Sequence, residues 1–271
     1  MKSLFKKVFS ILIVIFLSFQ FFAPATYAAT STKDLVLEIL DDLNKQNANC
    51  NGAPQQVANG AYRSVEMLTV IAMRLDKLGL YNSSIMDIYN SLYENNSGLS
   101  GAEQQTANGL YRCVELLTII VYELDTSGKY KSFVSDILDD WDSGNKSASS
   151  AVQQSVNGIY RCVDLLTIIA LLKDTSSKYN SMIMSVLDDY ESGNKSASSA
   201  VQQEVNGFYR AVDLLTIIAI EFDTLGIYNS TIMDTYNNLS VNDKNCSSAP
   251  QQCVNGAYRM VEMLSMIAIQ L

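Results

Sequence analysis

The residues best suited to chemistry recur as a set. Gln56, Asn59, Tyr62 and Arg63 stand in the first copy, followed by Glu66. Gln105, Asn108, Tyr111 and Arg112 repeat them, then Gln154, Asn157, Tyr160 and Arg161. Gln203, Asn206, Tyr209 and Arg210 follow, and last Gln252, Asn255, Tyr258 and Arg259. Each interval is 49 residues without insertion or deletion. A guanidinium forks onto carboxylates, primary amides offer paired donors and acceptors, and tyrosine adds an amphipathic stacking face. Such a mixture suits a glycan or an extended polar peptide. The same residues also suit an internal ladder, with Arg63 beside Glu115 and Arg112 beside Asp164, or Arg63 paired with Glu66 at i, i+3 on one helix.

A fixed period of this length marks a repeat protein, and each unit reads as two helices. The first, helix A, is short: Lys33 to Lys45, then Ser83 to Glu94, Lys131 to Asp142, Ser181 to Glu191 and Ser230 to Leu239. Val36, Ile39, Leu40 and Leu43 give it one apolar stripe. A polar loop such as Ser143 to Ser150 follows. The second, helix B, starts near residues 53, 102, 151, 200 and 249. Ser150, Ser199 and Ser248 with Gln153, Gln202 and Gln251 form Ser-x-x-Gln capping boxes, while Gly52 and Gly101 cap the first two copies. Its later half, as in Leu165-Leu166-Thr167-Ile168-Ile169, has no wet face and belongs inside. Gly79, Gly128 and Gly226, with Ser177 in the third copy, are placed for left-handed stops.

Gly60 and its equivalents sit inside helix B, where glycine costs about 1 kcal/mol relative to alanine. Close approach by a neighbouring helix explains this cost; an Asn-Gly turn splitting the helix is the alternative. Asp140 to Asn145 is a poor match to a calcium loop, because its glycine is misplaced and no bidentate Glu closes it.

The expected fold is all-α: five tandem 49-residue helical hairpins forming an α-solenoid, with a closed α/α ring as the alternative. Hairpins of this kind hide their apolar faces only by stacking on neighbours. In an open stack the first and fifth copies lie on the order of 35–40 Å apart at ~8–10 Å per helix pair. Cys50 and Cys246, which share a repeat position, could then not be joined.

Residues 1–28 read as a secretory signal peptide: Lys2, Lys6 and Lys7, an apolar run from Val8 to Ala23, and Thr26-Tyr27-Ala28 before the cut. Residues 29–271 are then one helical repeat domain, secreted, with no later membrane span expected. Of 19 Lys and Arg, three leave with the leader while all 28 acids stay, so the net charge becomes −12. That charge disfavours nucleic acid and anionic lipid. The absence of histidine removes Ser-His and Cys-His nucleophile pairs and imidazole zinc sites. No cofactor or metal is expected. The expectation is a non-enzymatic module binding an extracellular protein or glycan through helix B. A barrel enzyme cutting glycans with two carboxylates and a structural matrix protein are the alternatives.

Overall fold

The computed structural model describes residues 31–271 apart from residues 51, 97, 98, 100 and 244, so the signal-peptide reading lies outside it. Among the described residues there are ten helices and no strand. The inner helices are α2 (Ala53–Leu75), α4 (Ala102–Leu124), α6 (Ala151–Lys173), α8 (Ala200–Phe222) and α10 (Ala249–Gln270). The outer ones are α1 (Thr32–Ala48), α3 (Asn82–Asn96), α5 (Lys131–Ser147), α7 (Asn180–Ser196) and α9 (Asn229–Asp243).

Each inner helix packs along the next, and α10 packs along α2 as closely as its other neighbours do. Outer helix α1 likewise rests on both α10 and α2. Of the two forms open to five stacked hairpins, the chain therefore takes the closed ring. Arg74 Nη2 donates to the Leu271 carbonyl at 2.7 Å across the junction.

Glycine makes the close packing possible. A Cβ on Gly60 would come 2.8 Å from Ala257 Cβ, and one on Gly109 would come 2.9 Å from Ala61 Cβ. Gly158 meets Leu110, Gly207 meets Ile159 and Gly256 meets Phe208 in the same way. The inner helices run unbroken through these glycines, which excludes the Asn-Gly turn. Because every glycine faces the same level of the preceding copy, all five inner helices are parallel and in register.

The apolar later halves of these helices fill the axis. Leu68, Leu117, Leu166, Leu215 and Leu264 are each about 1 % exposed. Helix α6 is long and apolar enough to span a bilayer, contrary to expectation, but here it lies in the ring between α4 and α8.

Two local readings need correction. Helices α5 and α7 run on through Ser-Gly-Asn-Lys, which composition marks as loop. Ser143 Oγ and Ser147 Oγ bond back to the Asp140 and Gly144 carbonyls. Gly144 and Gly193 are needed there, since a Cβ would come 2.5 Å and 2.6 Å from Asn157 and Asn206 Oδ1. The capping box is also shifted by one residue. Ser150 Oγ accepts from the Gln153 N–H, but Gln153 Oε1 takes the N–H of Ser149 rather than that of Ser150. Ser248 makes no side-chain cap bond at all.

Candidate binding site

The recurrent polar set lies on the outward side of each inner helix, in the furrow between two outer helices. In most copies the frame uses it. Asn108, Asn157, Asn206 and Asn255 donate to the Leu92, Trp141, Tyr190 and Leu239 carbonyls at 2.9–3.1 Å. Each carbonyl lies on the outer helix of the same hairpin and takes the amide as an added donor, so each Asn ties a hairpin to itself. Asn59 reaches Asn47 Oδ1 instead, at 2.9 Å.

The tyrosines tie copy to copy. Tyr62 hydrogen-bonds Asn108, Tyr111 donates to Asn145 Oδ1, and Tyr160 engages Asn194. Tyr209 lies against Gly256. Rings pack edge-on at Tyr111–Trp141 and Tyr160–Tyr190.

The arginines pair within their own helix. Arg63 meets Glu66 at 2.5 Å, Arg161 meets Asp164 at 3.0 Å and Arg210 meets Asp213 at 3.1 Å. Arg112–Glu115 and Arg259–Glu262 repeat the pairing. The inter-copy ladder expected from Arg63 to Glu115 is replaced by this i, i+3 geometry, because each acid lies one turn along the same face. Cross-links between copies come instead from aromatic hydroxyls: Tyr93 donates to Glu66, and Tyr236 bonds Asp213. Burial, only partly offset by the arginine, lifts the Asp164 and Asp213 carboxyls to about 6.

The glutamines divide between roles. Gln56 Nε2 donates to the Asn47 carbonyl at 3.3 Å. Gln105 Oε1 accepts from Gln55 of the preceding copy at 2.9 Å. Gln154, Gln203 and Gln252 are half-buried.

At the fifth copy the arrangement differs. Asn255, Tyr258 and Arg259 join Asn242, Asn245, Cys246, Gln251 and Val254 around an open cavity of about 370 Å³. Asn242 stands where the fourth copy has Gly193. Tyr258 and Arg259 are half-buried, with one face toward this space. The lining holds amide and guanidinium donors beside one aromatic ring. Among the described residues, no three Cys, Asp or Glu side chains converge as a metal site.

Sequence reasoning missed two features. Asp76, Asp125, Asp174 and Asp223 close the first four B helices, and both carboxylate oxygens accept backbone N–H groups from the following loop, as at Lys129 and Tyr130 (3.0 and 2.7 Å). Their 49-residue spacing was the available signal. The other is Glu204, buried with its Oε2 3.7 Å from Cys253 Sγ. It occupies the position held by Val57, Thr106 and Ser155 in other copies.

Fold and furrow together define the class: an all-α protein of stacked helical hairpins. Comparison of the chain with protein-family models, curated proteins and solved structures finds no match.

Proposed function

We propose that the protein is an exported, non-enzymatic binding module, and that its ligand is an extracellular glycan taken up at the fifth copy. The observation that carries this reading is the cavity of about 370 Å³ lined by Asn242, Asn245, Gln251, Asn255, Tyr258 and Arg259. Its volume falls in the range of ~300–1,000 Å³ usual for small-ligand sites. Planar amides and a guanidinium match vicinal hydroxyls, while the tyrosine ring offers a face for the apolar side of a sugar. Asn255, Arg259 and Gln251 are held by the Leu239 carbonyl, Glu262 and Ser247 as their counterparts are in other copies, so it is the open space beside Tyr258 that sets this copy apart.

Ring closure on its own would favour a barrel hydrolase. The space on the axis, however, is about 20 Å³ and lined by leucine, isoleucine and phenylalanine. It holds roughly one water and not a sugar ring.

The test is titration with a panel of neutral and N-acetylated soluble oligosaccharides, followed by calorimetry and amide chemical shifts. Tyr258→Ala and Asn245→Ala are expected to weaken binding about ten-fold. Arg161→Ala should lower stability and leave binding untouched. Unchanged affinity in both fifth-copy variants would remove the proposed site.

A further inference from the structure

The two ends of the ring differ in a way the repeat does not require. All inner helices are parallel, so the loops 76–82, 125–131, 174–180 and 223–229 emerge at one end. Exposed apolar side chains gather there. Eight of the thirteen exposed large hydrophobic residues lie in these loops or in the first two turns of the outer helices that follow them, and Leu35 and Leu37 lie in the first two turns of α1. The most exposed are Leu78 (81 %), Leu225 (80 %), Leu80 (69 %) and Ile227 (65 %), all on loop tips. Phe133 (60 %) is next.

These tips are held outward by the backbone. Gly79 and Gly226 adopt φ of +68° and +67°, and Asp76 and Asp223 bind the N–H groups of Leu80, Tyr81, Ile227 and Tyr228 at 2.8–2.9 Å. The leucines are therefore displayed on rigid turns, not left over from poor packing.

The charges exposed on the loops themselves are of one sign. Lys77, Lys129, Lys131 and Lys178 are exposed on the loops, while the four loop acids are buried and committed to backbone N–H groups. The acids of the outer helices' second turns, such as Asp136, stand behind the tips. Farther along the outer helices stand exposed Asp41, Asp139, Asp140, Asp142, Asp188, Asp189 and Glu191, with exposed Lys45, Lys146 and Lys195 in the last turns. The exposed charged side chains of the four loops are thus all lysines, although each loop also holds one buried aspartate and Asp34 and Glu38 of α1 stand exposed nearby.

We propose that this end docks onto a bilayer surface containing anionic lipid, with Leu78, Leu80, Leu225 and Ile227 inserted and the lysines at head-group level. Separate aliphatic tips projecting from rigid loops enter a fluid apolar layer readily, whereas a protein partner needs a continuous, complementary patch. Lysine near an anionic surface strengthens binding about five-fold per residue. The reading is independent of the glycan site, which lies on the outer furrow.

The experiment is vesicle flotation with the chain from Ala29 onward, so that the apolar run at Val8 to Ala23 does not contribute. Vesicles are phosphatidylcholine with or without phosphatidylglycerol. Wild type is expected to float with the anionic vesicles, less so as salt rises. Leu78→Ser with Leu225→Ser copies the serines that stand at these positions as Ser127 and Ser176, so it should fold; it should lower binding at least ten-fold. Lys129→Glu with Lys178→Glu should abolish the preference for phosphatidylglycerol. Wild type left in solution with both vesicle types overturns the proposal, as does flotation unaffected by the serine pair. Self-association lost in the serine pair, without flotation of wild type, makes this end an interface between copies and also overturns it.

Discussion

Replacing Glu204 by valine is expected to stabilise the protein at neutral pH and to change little in acid. Burial is the main cause of the high proton affinity of this carboxyl, which is pushed up to about 7; the Cys253 thiol offsets it in part and Glu103 adds to it. An ordinary Glu titrates near 4.5. A group with a raised native pKa holds its proton in the folded state after the unfolded chain has released it. Between about pH 4.5 and 7 the native state therefore binds more protons, and stability falls as pH rises through that window. Above pH 7 the full penalty applies, about 3 kcal/mol for a displacement of this size. Below pH 4.5 there is none.

Valine fits the position, since Val57 occupies it in the first copy and is 4 % exposed. Urea unfolding of wild type and Glu204→Val at pH 8 and pH 4.5 measures the effect. With m near 3 kcal/mol per molar, the midpoint should rise by about 1 M at pH 8 and hardly move at pH 4.5. Asp164 and Asp213 also titrate near 6 and tilt both curves, so the difference between the two proteins isolates Glu204. Equal shifts at the two pH values, or a variant less stable at pH 8, would refute the assignment of Glu204 as a buried charge.

The remaining predictions follow from single contacts. Gly60→Ala should lower thermal stability by about 1–3 kcal/mol through its clash with Ala257, although alanine is the better helix former; in an open array the same change would raise it. Asp125→Ala should cost about 2 kcal/mol and expose loop 125–131 to faster amide exchange, because the N–H groups of Lys129 and Tyr130 lose their acceptor. Cys113, Cys162 and Cys253 are buried, whereas Cys50 and Cys246 are partly exposed. Native alkylation followed by mass spectrometry should therefore label Cys50 and Cys246 and spare the other three until denaturant is added.

The hairpin unit was legible because its signals are local. Periodicity, serine before helix B and the apolar Leu-Leu-Thr-Ile-Ile run act within one repeat, and Gly60 announced a close neighbour without naming it. Ring closure was not legible, because it depends on a small angular step added at each of five interfaces, which no residue type encodes alone. The neighbour of Gly60 turned out to be Ala257, at the far end of the sequence. Misreading the Ser-Gly-Asn-Lys segment had a related cause. Glycine's poor helix propensity pointed to a loop, but the glycine is there to let Asn157 pass, a contact with the following helix. Asn157 reads as a free ligand donor for the same reason, since its acceptor, the Trp141 carbonyl, lies on a different helix and meets it only once the hairpin has packed.

These misreadings bear on where function can reside. A residue retained in every copy of a closed ring faces the same neighbour each time, and its repetition is first explained by that neighbour. Asn59, Tyr62 and Arg63 and their equivalents fit this account in the first four copies, through Asn108, the following outer helix and the i+3 acid. Information beyond the frame must then lie where copies differ. Asn242, like Gln46 and Asn95, stands where the third and fourth copies have glycine, Leu78 and Leu225 replace serine on two of four loops, and Glu204 replaces smaller residues inside. If the frame accounts for the repeated set, grafting Gly193 into the fifth copy as Asn242→Gly should alter the cavity beside Tyr258 while leaving thermal stability within about 1 kcal/mol, the scale of a helical glycine. A loss of several kcal/mol would show that Asn242 belongs to the frame after all, and the furrow would lose its claim to be a site.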